Sequence, residues 1–276
     1  YYKEYTACAG RSAHRLALRV EEEVDKSRNE VKDLINAGHA SEIIFTRNTT
    51  EGINLVANSL GFREGDEIVI SDKEHNSNLI PWLKLRSKGI KLKIVKSNPD
   101  NTFNLENFKK SLNEKTKLVS VVFTSNIDGV TNPIKEIAKL AHKNNSLVLV
   151  DGAQAVPSMD VNIKELDIDF LAFSGHKMMG PTGTGVLYGK KHILEQMEQF
   201  IVGGETVVDS TYESYSREEL PNRFEAGLQD YAGIIGLGEA CRYLGKIGQS
   251  KIASHEIKIN KIISESLSNN KKISVI

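Results

Sequence analysis

Cysteine is scarce: Cys8 and Cys241 are the only two in 276 residues. This argues against a disulfide framework and for a reducing, cytoplasmic setting. The sequon-like Asn48-Thr49-Thr50 then carries no meaning for glycosylation. An excess of either charge is also lacking. Lys plus Arg and Asp plus Glu number 36 each, so no global field recommends a nucleic acid or an anionic membrane as partner. No apolar run approaches the roughly 20 residues that a spanning helix needs. The opening Tyr1-Tyr2-Lys3-Glu4-Tyr5 is not a signal peptide. Internal repeats and low-complexity linkers are missing as well. What remains is an ordinary globular composition, 39% hydrophobic and 26% charged, long enough for one large domain or a large domain plus part of a second.

The apolar pattern alternates between two periods. Residues 12 to 37 read as one long amphipathic helix, with Leu16, Val20, Val24, Val31, Leu34 and Ile35 at helical spacing. Strand-like runs follow at Glu42 to Thr46, Glu67 to Ser71, Lys91 to Val95, Leu118 to Thr124, Leu147 to Val150, Ile168 to Phe173 and Gly185 to Tyr188. Helical stretches separate most of them: Thr50 to Ser59, Leu79 to Arg86, Leu105 to Leu112, and Pro133 to Asn144 with proline in the first turn. Helices dominate from Tyr231 to Ser268, and Lys272 to Ile276 reads as an incoming strand. This rhythm predicts an α/β fold with a mostly parallel sheet and helices on both faces. Both ends of the chain look cut from something longer.

In open α/β sheets, ligands bind beyond the carboxyl ends of the strands. The chemically interesting residues cluster there. Lys177 lies in Ser174-Gly175-His176-Lys177 just after a buried strand, amid glycines that let backbone approach a ligand. Such surroundings favour a neutral, nucleophilic amine, although the stretch alone reads equally well as a surface-loop lysine. Asp151 ends a strand and could hold a cationic ring nitrogen, bind a metal or cap the next helix; Gln154 could reach the same ligand. Thr49-Thr50-Glu51-Gly52 opens a helix whose hydroxyls and free N–H groups suit a phosphate, or make an ordinary cap. His75 follows a strand, where an imidazole could stack on a planar ring or be a plain loop histidine. His14, on the first helix, reads by itself as a surface residue.

Taken together these segments resemble the class V aminotransferase-like branch of fold-type I pyridoxal-phosphate (PLP) enzymes, and within it the cysteine desulfurases of the SufS/CsdA group. The likeness rests on Thr46 to Leu55, Glu74-His75-Asn76-Ser77-Asn78, Ser125-Asn126, Val150 to Ala155, Phe173 to Gly185 and Arg223-Phe224-Glu225-Ala226-Gly227. It implies a large PLP-binding domain built on a seven-stranded, mostly parallel sheet. It also implies roles. Lys177 would carry pyridoxal 5'-phosphate as a Schiff base and shuttle the Cα proton. Asp151 would pair with the ring nitrogen, Gln154 with the phenolic oxygen, and His75 would stack on the ring and assist proton transfer. Thr49, Thr50, Ser174 and His176 would hold the phosphate. Asn126 would contact cofactor or substrate carboxylate, and His14 would line the substrate pocket. The implied reaction converts L-cysteine to L-alanine and passes sulfur to an enzyme persulfide, for iron–sulfur cluster or other carrier assembly. The resemblance further implies a homodimer and a sulfur-acceptor protein as partners.

Three departures qualify the likeness. The family's persulfide cysteine and carboxylate-gripping arginine belong to a C-terminal small domain, and neither Cys8 nor Cys241 matches the catalytic loop; Cys241 reads as a small buried hydrophobe. Leu228 stands where the family often has a threonine that reaches the neighbouring subunit's phosphate. The Asn-Ala-Ala-like turn often carried by the family's N-terminal segment is not seen here. The expected organisation is a PLP-binding large domain over 1–245, then a linking helix and the start of a truncated small domain over 246–276. Alternatives within the branch are a selenocysteine lyase or a small-amino-acid aminotransferase. Outside it stand an inactive truncated scaffold and a Ser-x-x-Lys acyl-transfer enzyme, whose partner motifs are absent.

Overall fold

The structure is a computed structural model, and it describes residues 1–10 and 13–268. Its elements run α1 (Arg15–Leu34), β1 (Ile43–Thr46), α2 (Thr49–Ser59), β2 (Glu67–Ser71), α3 (Ile80–Leu85), β3 (Lys91–Val95), α4 (Leu105–Ser111), β4 (Thr116–Val122), α5 (Ile134–Lys143) and β5 (Leu147–Asp151). Then come α6 (Ala155–Ser158), α7 (Ile163–Leu166), β6 (Phe170–Ser174), β7 (Gly185–Gly189), α8 (Lys191–Leu194), β8 (Val207–Ser210), β9 (Tyr215–Arg217), α9 (Tyr231–Ile247) and α10 (Gln249–Ser268). The strand expected over Lys272 to Ile276 lies outside the described residues.

Seven strands form one sheet in the order β1-β7-β6-β5-β4-β2-β3. Only β7 runs against the others, pairing antiparallel with both β1 and β6. The central strands are almost wholly buried and carry continuous apolar runs because both sheet faces are covered. Alternate residues feed two cores. Val119, Val121, Val148, Val150 and Phe173 point to the face covered by Val20 and Val24 of α1, Ile137 of α5 and Leu237 of α9. Leu118, Leu149, Phe170 and Leu187 point to the face covered by Ile53 and Val56 of α2 and Trp82 of α3. The edge strand β3 is the polar exception, with two lysines that discourage further pairing.

Several expectations shift by a residue or two, and the reasons are local. The first helix starts at Arg15, with His14 as its cap: His14 Nδ1 accepts the Ala17 N–H at 3.2 Å. Pro133 stands just before α5 rather than in its first turn. The C-terminal helical region is two helices, broken at Gly248, whose φ of 87° an L-residue rarely adopts. The hairpin β8–β9 was not expected; its strands are almost wholly exposed and carry no burial alternation to read.

A charge cluster locks the amino edge of the sheet. Asp169 Oδ2 accepts the Val148 N–H at 2.8 Å and lies 2.8 Å from Nε2 of His142 on α5. Lys190 Nζ reaches Asp167 at 2.8 Å and Asp169 at 2.9 Å. The Asp169 bond holds the His142 imidazolium above its ordinary value of 6.5, partly opposed by burial. A raised histidine stabilises the fold fully below its unfolded value, and that contribution is lost as pH rises through the folded one. His142→Gln is therefore expected to cost about 1 kcal/mol near pH 5.5. In thermal melts run across pH, the gap to the wild type should narrow towards pH 8.5.

Candidate active site

The strand ends converge on one cavity of about 310 Å³, lined among others by Thr49, Thr50, His75, Asn126, Asp151, Gln154, Ser174, His176 and Lys177. Sheet register explains the convergence. Val122 pairs with Asp151, and Asp151 with Ala172, in one row; Ser174 and Thr46 both pair with Gly185 in another. Gly185 is needed there, because a Cβ would stand 2.6 Å from the Cα of Asn48. That close approach seats the start of α2 against β7. Of the residues given a cofactor or substrate role from sequence, all line this cavity except His14, which caps α1.

The helix end is built differently from the expectation. Asn48, not a threonine, is the cap of α2: its Oδ1 accepts the Glu51 N–H at 3.0 Å. The Asn-x-x-Glu spacing was the available signal. Freed from capping, Thr49 turns inward. Its N–H donates to Ser174 Oγ at 2.8 Å and its hydroxyl lies 2.6 Å from the same oxygen, so the buried Ser174 ties α2 to the turn that carries Lys177. Thr50 stays exposed, with its hydroxyl 2.7 Å from Ser77 Oγ.

Asp151 is 3% exposed. Burial pushes its carboxyl up, while the Ala153 N–H at 3.0 Å and the nearness of His75 and Lys177 pull it down. Lys177, on the short turn Gly175–Lys177, is itself exposed, so the enclosure expected for it is not built by these residues alone. A second carboxyl was missed in sequence. Glu74 is pushed up to about 8, first by burial and also by the charge of Asp151, against hydrogen bonds from Ser71, Asn78 and the Val122 backbone. Asn78 donates to Glu74 at 2.6 Å, while its own oxygen accepts Trp82 Nε1 at 3.1 Å and Ser120 Oγ at 2.5 Å. This network pins the turn that bears His75.

The chain matches the family model described as aminotransferase class-V over residues 1–276. It belongs to the class-V aminotransferase family. Within that family it is 44% identical to a probable cysteine desulfurase of Halalkalibacterium halodurans, over 97% of this chain and 67% of the relative. The solved apo structure of a cysteine desulfurase from Thermococcus onnurineus NA1 superposes with a TM-score of 0.93 at 39% identity, covering 97% of this chain and 68% of that one. The cysteine desulfurase CsdA of Escherichia coli gives a TM-score of 0.89 at 32% identity, covering 95% and 66%. The chain therefore spans about two thirds of the length of these relatives. The shared architecture of this class-V member is the α/β sheet described above.

The donor set fits the family's kind of cofactor, a phosphate-bearing pyridine. A buried carboxylate favours a cationic partner such as a protonated ring nitrogen. The N-terminus of α2, where Thr50 is exposed to the cavity, suits an anion. An imidazole can face a ring, and an amine on the same cavity can meet an aldehyde.

The thiols lie apart from this site. Cys241 is buried on α9 and pushed up to about 12, chiefly by burial, whereas Cys8 is exposed. A disulfide-exchange reagent is expected to titrate one thiol in the native protein and two after unfolding, with Cys8→Ser abolishing the fast one.

Proposed function

We propose that the chain is the cofactor-binding part of a PLP-dependent cysteine desulfurase, which takes sulfur from L-cysteine and leaves L-alanine. One observation carries the reading: an amine, a buried carboxylate, an imidazole and a hydroxyl-lined helix end face a single cavity. The names of the similar proteins support the substrate.

When bound, pyridoxal 5'-phosphate supplies an aldehyde carbon for an amine and a ring that draws electrons from the amino acid's Cα. The chain's own residues do the rest. Asp151 keeps a proton on the ring nitrogen, and its burial makes that pairing strong. Thr49, braced by Ser174, and Thr50, held by Ser77, receive the phosphate at the N-terminus of α2 together with His176. Gln154 serves the phenolic oxygen, and Asn126 serves cofactor or substrate carboxylate. Lys177 Nζ holds the cofactor and moves the Cα proton; His75 covers the ring.

Overall, cysteine and an acceptor thiol become alanine and a persulfide, so atoms balance without an added oxidant. Neither Cys8 nor Cys241 lines the cavity, and the acceptor thiol comes from outside it. The helix α10, which follows the break at Gly248, is read as a linking helix towards a small domain. The exposed Ile201, Val202, Leu228 and Tyr215 support a homodimer, to be checked by light scattering. The functional test supplies PLP, L-cysteine and dithiothreitol as acceptor. Alanine and sulfide should form in equal amounts, and transamination dependent on a keto acid would overturn the reading.

A further inference from the structure

His75 is exposed on the cavity wall, yet its ring is not free to choose where its hydrogen sits. It caps the short 3-10 turn Asn76–Asn78 with extended backbone, φ −63° and ψ 152°. Its Nδ1 receives the backbone N–H of Ser77 at 3.1 Å. A backbone N–H can only donate, so Nδ1 is the acceptor and the neutral ring carries its hydrogen on Nε2. A second group of the same residue acts on the same atom: Ser77 Oγ lies 3.0 Å from Nδ1. That hydroxyl is in turn 2.7 Å from Thr50 Oγ1. With Thr50 donating to Ser77 and Ser77 donating to His75, the chain of hydroxyls ends on the nitrogen that the backbone already occupies. The backbone bond fixes the direction, and the two hydroxyls, which can donate either way, run in the sense that reinforces it.

We propose that Ser77 is a positioning residue that holds His75 as its Nε2–H tautomer, so that the imidazole presents a donor rather than a base to the cavity. The ring in this state can lie on a flat partner and give a hydrogen bond to an anionic group. It has no free lone pair with which to accept a proton. Proton transfer at the substrate carbon then falls to Lys177, the amine in the same cavity. That last consequence rests on the proposed function, whereas the tautomer does not.

The test begins with nitrogen NMR of protein labelled in histidine, without cofactor, with His75→Gln to assign the signals. The wild type should show His75 with hydrogen on Nε2 and a bare Nδ1. Ser77→Ala, which removes the hydroxyl but keeps the backbone N–H, should leave the Nε2–H form in the majority and let a minor share of the other tautomer appear, and Ser77→Thr, which keeps the hydroxyl, should restore the single form. In PLP-loaded protein turning over cysteine, Ser77→Ala should lower kcat about tenfold with little change in KM, and Ser77→Thr should recover it. A wild-type His75 with hydrogen on Nδ1 would overturn the proposal. So would a Ser77→Ala protein with unchanged tautomer and unchanged kcat. A wild-type protein that shows the expected tautomer but no cysteine turnover would defeat the proposed function alone.

Discussion

Asp151→Asn should lower PLP-dependent turnover by about 10²–10³-fold while leaving the cofactor-free protein no less stable. The two effects have opposite signs for one reason. Asp151 is almost fully buried, and burial raises its carboxyl above the ordinary value of 3.8. An acid raised in this way opposes folding once the unfolded chain would ionise, so the unliganded fold loses stability as pH climbs above 3.8. Asparagine removes that burden and keeps an oxygen for the Ala153 N–H. It also removes the charge that should keep a ring nitrogen protonated. Melting temperatures without PLP, paired with rates at saturating PLP, separate the two effects. A variant that is both unstable and inactive would mean that Asp151 serves packing alone.

Glu225→Ala is expected to cost about 3–5 kcal/mol of stability, because it strands a buried guanidinium. Arg28 on α1 meets Glu225 in a two-pronged pair, at 2.7 and 3.0 Å, with both side chains under a tenth exposed. Glu225 also accepts the Phe45 N–H at 2.7 Å, and Arg28 donates to the Ile43 carbonyl at 2.8 Å. The pair thus ties α1, β1 and the 222–227 segment together. Calorimetry should show a melting point lower by roughly 10 °C. Replacing both partners with apolar residues should recover much of the loss, since no charge is then left unpaired. A single variant as stable as the wild type would contradict the account of this pair.

Much of this architecture was legible in the sequence because a parallel sheet buried on both faces leaves short, continuous apolar runs. The runs ending at Ser71, Asp151 and Ser174 mark the site loops, since ligands gather at such ends. What stayed hidden depends on tertiary geometry. The seat of Asn48 against β7 depends on the missing side chain of Gly185, far away in sequence. Glu74 looks like any loop carboxylate until Asn78 and Ser71 close over it. Ser77 matters through two hydrogen bonds that no spacing encodes. His14 fits the family pattern, and its Nδ1 caps α1, a contact that the sequence alone does not announce. The hairpin β8–β9 has no buried face and so no apolar signature.

The central claim is that Lys177 is the residue that carries the cofactor. Borohydride reduction of PLP-supplemented protein, followed by peptide mass mapping, tests it directly. The account predicts one pyridoxyl-phosphate adduct, on Lys177, and its absence in Lys177→Ala. An adduct on a different lysine, or none on a folded protein saturated with PLP, would contradict it.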